Sequence, residues 1–132
     1  MWIKLVRSIL APIIGYAVIL VCTIEGFKPL GNIIHVSAPL HIHLAGAVVA
    51  VVSGMLGGLA AAFVAGRYPV WHASAVLIFL CIDTATVLSR SSSDPAWFEL
   101  MGAATLMGAT VLGGVAYAVV RNRRKRAQPA IG

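Results

Sequence analysis

Four carboxylates, four imidazoles and two thiols are the side chains with which this chain could do chemistry: Glu25, Asp83, Asp94 and Glu99; His35, His41, His43 and His72; Cys22 and Cys81. Grouped carboxylates and imidazoles can bind a divalent cation or a protonated amine, or relay protons. Asp83 is the most distinctive of them. It falls inside an apolar run, about 20 Å up a ~30 Å hydrocarbon core at ~1.5 Å per helical residue. A carboxylate at that depth faces a bundle interior, pairs with another group, or is protonated. Arg90 follows seven residues later on the same helix face, and Thr84 and Thr86 add hydroxyls. Asp83, Arg90, Glu25 and Glu99 therefore form a candidate ion or proton site. The plainer alternatives are an Asp83–Arg90 or Asp83–hydroxyl link that pins helices, and charges that mark helix ends.

His41 and His43 are a weaker candidate metal pair. Spaced i, i+2, they share no helix face and could reach one metal only from an extended segment. His43 and His72 fall at opposite ends of their expected helices, which argues against a haem held between them. Cys22 and Cys81 sit in apolar runs at similar expected depth and read as small thiols packed between helices. There is no nucleophile–base pair, phosphate loop or metal motif, so neither catalysis nor a cofactor is expected; lipid contacts are.

The elements that position these residues are apolar. Residues 29–66 contain no Asp, Glu, Lys or Arg, and the chain is 60% hydrophobic and only 11% charged, against the ~25% usual for soluble proteins. About 20 apolar residues cross a bilayer. The expected fold is an all-α membrane protein: a single four-transmembrane-helix bundle with short loops, its helices at about 5–25, 42–66, 70–89 and 95–120, followed by a basic tail, 121–132. Lys4 and Arg7 ahead of an apolar run resemble a signal peptide. Val21 before Cys22 does not suit lipoprotein cleavage, so an uncleaved first helix is expected. Pro12 is a candidate kink. Residues 27–40 read as a loop, with Ile33 and Ile34 on the membrane surface. Arg67-Tyr68-Pro69 is a tight turn, Asp94 an N-cap, and Pro95 the first residue of helix four.

The net charge of +6 does not point to nucleic acid. Half the basic residues form one cluster, Arg121, Arg123, Arg124, Lys125 and Arg126, with no aromatics interleaved. Such a cluster suits topology and anionic lipid headgroups. Eight of the ten Lys and Arg fall on one side of the expected bundle and only Lys28 and Arg90 on the other. Positive charge stays inside, so both termini are expected in the cytoplasm.

Gly46, Ala50, Gly54, Gly58, Ala62 and Gly66 recur every four residues. Small residues in that register let helix backbones approach closely, as in GxxxG contacts. The row drifts around the helix by ~40° per step, so one straight partner meets only three or four of the six. Ala11 and Gly15, or Gly102, Gly108, Ala109, Gly113 and Gly114, offer partners within the chain; another subunit is the alternative. The basic N-terminus, Glu25 closing helix one, Gly57-Gly58 leading to Gly66-Arg67, and Pro95-x-Trp97 together resemble small four-helix bacterial inner-membrane proteins. The resemblance implies that address and brings no activity, ligand or catalytic residue. The expected function is a non-catalytic accessory or scaffold subunit of a larger membrane complex. The alternatives are an oligomeric transporter or channel subunit using Asp83, and a metal- or haem-binding protein using the histidines.

Overall fold

The computed structural model describes residues 2–90 and 94–127. Four helices, α1 (Trp2–Phe27), α2 (Leu40–Ala65), α3 (Pro69–Ser89) and α4 (Ala96–Ala127), make up nearly all of them, with a 3-10 helix at Lys28–Ile33. No strand occurs among the described residues. A helix satisfies its own backbone hydrogen bonds, which an apolar sequence needs where water is absent. The shortest, α3, has 21 residues, so each helix is long enough at ~1.5 Å per residue to cross a ~30 Å core. Each is also apolar enough to do so.

The helices alternate in direction, and α2 touches all three others while α1 and α4 do not meet. The packing around α2 is built from small residues. Ala11, Ala61, Ala62, Ala73 and Ala109 are buried together with Gly54, Gly57, Gly58, Gly113 and Gly114. Among the described residues only Ile19, Val76 and Leu80 add larger buried apolar bulk. The large side chains point the other way: Phe63, Trp71, Ile78, Ile82 and Leu112 are all more than half exposed.

The expected small-residue row divides between partners, as its drift requires. Gly54 and Gly58 face α4. A Cβ on Gly54 would lie 2.6 Å from the Leu106 carbonyl oxygen, and one on Gly58 would collide with the Thr110 carbonyl. Gly113 of α4 meets the Met55 carbonyl in return. A second seam, displaced around α2, faces α1. There a Cβ on Gly57 would lie 2.7 Å from the Gly15 oxygen, and one on Gly15 would lie 2.8 Å from the Gly57 oxygen. Gly57 stands outside the four-residue row, yet it makes one of the closest approaches. Ala62 is fully buried, Ala50 half-buried, and Gly46 lies at ordinary contact distance under Ile34 and Phe27. Gly102 and Gly108 of α4 face open space.

Gly66 has a different task. Its φ of 64° places it in the left-handed region that ends a helix, and its N–H returns to the Ala62 carbonyl at 3.2 Å. The last carbonyls of a helix have no intrahelical donor, and α2 has no basic residue in its own last turn. Arginines from two other helices supply the donors. Arg7 Nε of α1 donates to the Val64 carbonyl at 3.0 Å, and Arg121 Nη1 of α4 donates to the Gly66 carbonyl. A cation there also complements the negative end of the helix dipole.

Several sequence expectations change. The basic cluster does not form a tail after residue 120: α4 continues to Ala127 and carries Arg121, Arg123, Arg124, Lys125 and Arg126 as helical residues. Strong helix formers and a cationic last turn favour that extension. The remainder of the expected tail lies outside the described residues. The segment 27–40 is not loop throughout, because Lys28–Ile33 winds into a 3-10 helix with Pro29 in its first turn. α1 runs unbroken through Pro12. Asp94 Oδ1 accepts the Val36 amide at 3.0 Å, tying the α1–α2 connection to the start of α4. At the other end Tyr68 takes φ 51°, ψ 57°. The following Pro69 disfavours the right-handed helical region for it.

Gly58→Leu should lower the thermal midpoint in detergent by the equivalent of at least ~1–3 kcal/mol, since overpacking here meets backbone. Gly102→Ala and Gly108→Ala should be neutral or stabilising by up to ~1 kcal/mol, because alanine is the better helix former in open space. Arg121→Ala should cost about 1–2 kcal/mol through the lost cap. Arg124→Ala, fully outside the seam, should stay within ~0.5 kcal/mol. Equal losses for the two arginine variants would remove the capping role from Arg121.

Candidate functional site

Asp83 is exposed, and it lies one turn beyond Phe79 on the side of α3 that meets Tyr16 of α1. The buried residues of that helix are Ala73, Val76 and Leu80, which fix its inward face. Asp83 follows Val76 by seven residues and Leu80 by three, which places it at the edge of that face, and it is exposed there. Thr84 is the residue that continues the inward face. Among the described residues no hydrogen bond or ion pair reaches Asp83. Tyr16 of α1, stacked on Phe79 at 5.4 Å between ring centroids, lies within electrostatic reach of it.

The expected Asp83–Arg90 link is therefore absent. Arg90 follows the end of α3 with an extended backbone (ψ 144°) that carries it off the helical face. The Asp83–hydroxyl alternative fails for a local reason. Thr84 and Thr86 donate to the carbonyls of Leu80 and Ile82 in their own helix, at 2.7 and 2.8 Å. Thr23, Thr105 and Thr110 do the same in α1 and α4. Each hydroxyl is satisfied within its helix and offers no proton to a neighbour.

The remaining members of the candidate ion site do not converge. Glu25 pairs with Lys28 on the surface, which is the one ion pair among the described residues. Glu99 is half-buried and lines a cavity of about 600 Å³ between the helices at the end remote from Gly66. That cavity has Phe27, Ile34, Leu44, Trp97, Phe98 and Leu106 in its walls. Its size is that of a small-molecule pocket, but its threonine hydroxyls are turned to their own helices, and among the described residues its titratable side chains are His43 and Glu99.

The histidines organise this same end structurally. His43 Nε2 donates to the His35 carbonyl at 3.1 Å and meets the Phe98 ring edge-on at 5.5 Å. His35 Nδ1 and the Ser37 hydroxyl are hydrogen-bonded at 2.8 Å. His41, two residues before His43, is exposed and turned elsewhere. At i, i+2 within α2 the two share no helix face, and no group of three His, Cys, Asp or Glu among the described residues is placed to hold a metal. His72 Nδ1 donates to the Tyr68 carbonyl at 3.0 Å. Cys22 and Cys81 are both free thiols, and Cys81 is exposed instead of packed between helices.

Sequence reasoning missed three features: the two arginine caps on α2, the cavity at the opposite end, and a basic cleft beside Arg121. The caps had one legible signal, the missing cation in the last turn of α2. Compared with known protein families, curated proteins and solved structures, the chain matches none.

Proposed function

We propose that this chain is a non-catalytic accessory subunit of a larger complex in the bacterial inner membrane, crossing it four times with both termini in the cytoplasm. One observation carries the reading: Asp83 lies within an apolar helix, is exposed, and makes no hydrogen bond or ion pair among the described residues. A carboxylate facing hydrocarbon is costly by ~2.5–3.5 kcal/mol even on the mildest scales. A polar or cationic group on an adjoining protein removes that cost. Ile78 and Ile82, exposed elsewhere on α3, add apolar surface that suits helix–helix contact in a bilayer. Eight Lys and Arg at the Gly66 end support the orientation.

A second reading uses the same residue. Copies of this chain could share Asp83 as a proton or cation site, with the carboxylate at an interface between subunits. The dispersal of Glu25, Arg90 and Glu99 away from Asp83 weighs against it.

Extraction from native membranes in mild detergent should give a particle far larger than the 13.8 kDa chain, containing stoichiometric larger subunits. Asp83→Ala should reduce recovery of those subunits while the isolated chain keeps its thermal midpoint within ~0.5 kcal/mol, as expected of an exposed position. A particle made of this chain alone contradicts the accessory role. Loss of cation or proton flux in Asp83→Asn liposomes with assembly intact would favour the second reading.

A further inference from the structure

All four carboxylates of the chain lie away from the Gly66 end of the bundle. Glu25, Asp94 and Glu99 sit at the opposite end, and Asp83 is fourteen residues beyond Pro69, about 21 Å along α3. Among the described residues the cations at the Gly66 end thus make no ion pair with a carboxylate. Three of them, Arg67, Arg121 and Lys125, line one cleft of about 390 Å³. It lies between the α2–α3 turn, the first turn of α3 and the C-terminal part of α4.

The cleft is organised on both sides. Arg121 is half-buried and held in place by its bond to the Gly66 carbonyl, which leaves the rest of its guanidinium fork for another acceptor. Arg67 is steadied by Tyr68, with Nη2 donating to the phenol oxygen at 3.3 Å and the guanidinium carbon 5.0 Å from the ring centroid. Lys125 stands one turn after Arg121 and makes no ion pair among the described residues. Trp71, 77% exposed in the first turn of α3, is the side chain expected at headgroup depth. Val70 and Ala118 add apolar surface beside the cations.

We infer that this cleft binds the phosphate group of an anionic phospholipid. Two guanidinium forks and an ammonium supply charge-assisted hydrogen bonds to phosphate oxygens. The exposed indole and the apolar residues beside them accommodate the start of the acyl chains, which a free phosphate ion would leave unused. The inference rests on the membrane placement proposed above, but not on the accessory role.

The test uses the full chain with Trp2→Phe and Trp97→Phe, so that Trp71 is the only fluorophore of its kind. It is reconstituted in equal mixtures of phosphatidylglycerol and phosphatidylcholine, with bromine on the acyl chains of one lipid or of the other. The membrane charge is then identical and only the quencher changes place. Trp71 should be quenched more strongly when the anionic lipid carries the bromine, with a preference of about fivefold, the contribution of one well-placed cation near a membrane. Arg67→Ala/Lys125→Ala should abolish the preference. Arg123→Ala/Arg124→Ala, which removes the same charge from exposed positions of α4, should keep it. Equal quenching by both labels overturns the proposal, as does equal loss in the two double variants, which would show diffuse surface charge. Loss of the preference on adding inorganic phosphate at fixed ionic strength overturns it in favour of a free-anion site. No quenching by either label would instead remove the membrane placement itself.

Discussion

The close approach of backbones around α2 is the constraint on which the rest of this structure depends. Where Gly57 meets Gly15 and Gly58 meets the Thr110 carbonyl, no side chain separates the helices. In water such an interface would be poor, since little apolar side-chain area is hidden. In lipid the tails are as apolar as leucine, and association rests on packing and on satisfied polar groups. The same logic sends Phe63, Ile78 and Ile82 outward and turns each threonine hydroxyl back on its own helix. A chain so arranged has four helices long and apolar enough to cross a membrane.

The two ends of the bundle differ in kind. At the Gly66 end, α2 stops in a left-handed glycine and its carbonyls receive arginines from α1 and α4. One helix terminus thereby ties together the two helices that do not touch each other. The excess of positive charge left there makes no ion pair among the described residues. At the opposite end the polar groups are mutually engaged: Glu25 with Lys28, Asp94 with the Val36 amide, and His43 with the His35 carbonyl. Those contacts close the bundle and hold the α1–α2 connection across it. They give Glu25, Lys28, Asp94 and His43 structural roles.

The four helices were legible because residues 29–66 lack charge altogether and the other apolar runs are broken by Arg67-Tyr68-Pro69 and Asp94-Pro95. The boundaries moved for local reasons. The basic cluster is composed of good helix formers, so α4 continued through it. The small-residue row was visible as a period, but a period does not say which neighbour each residue meets. Gly57 was overlooked because it lies outside that period while facing a different helix. The candidate site was the least legible part. Spacing placed Asp83 and Arg90 seven residues apart on one face, but the helix ends at Ser89 and Arg90 leaves that face. Which way Asp83 points depends on the inward face set by Ala73, Val76 and Leu80, a property of packing that no single-helix pattern contains.

Asp83 remains the residue through which the proposed role stands or falls. Its own bundle leaves its surface uncovered, and the account places a neighbouring protein there. The direct measurement is photo-crosslinking in intact native membranes, with a photoreactive side chain replacing Thr86 or Ile82, the exposed residues that flank Asp83 on α3. The account predicts a discrete adduct with a larger membrane protein, lost in the Asp83→Ala background. Adducts confined to lipid, or to a second copy of this chain, would contradict it.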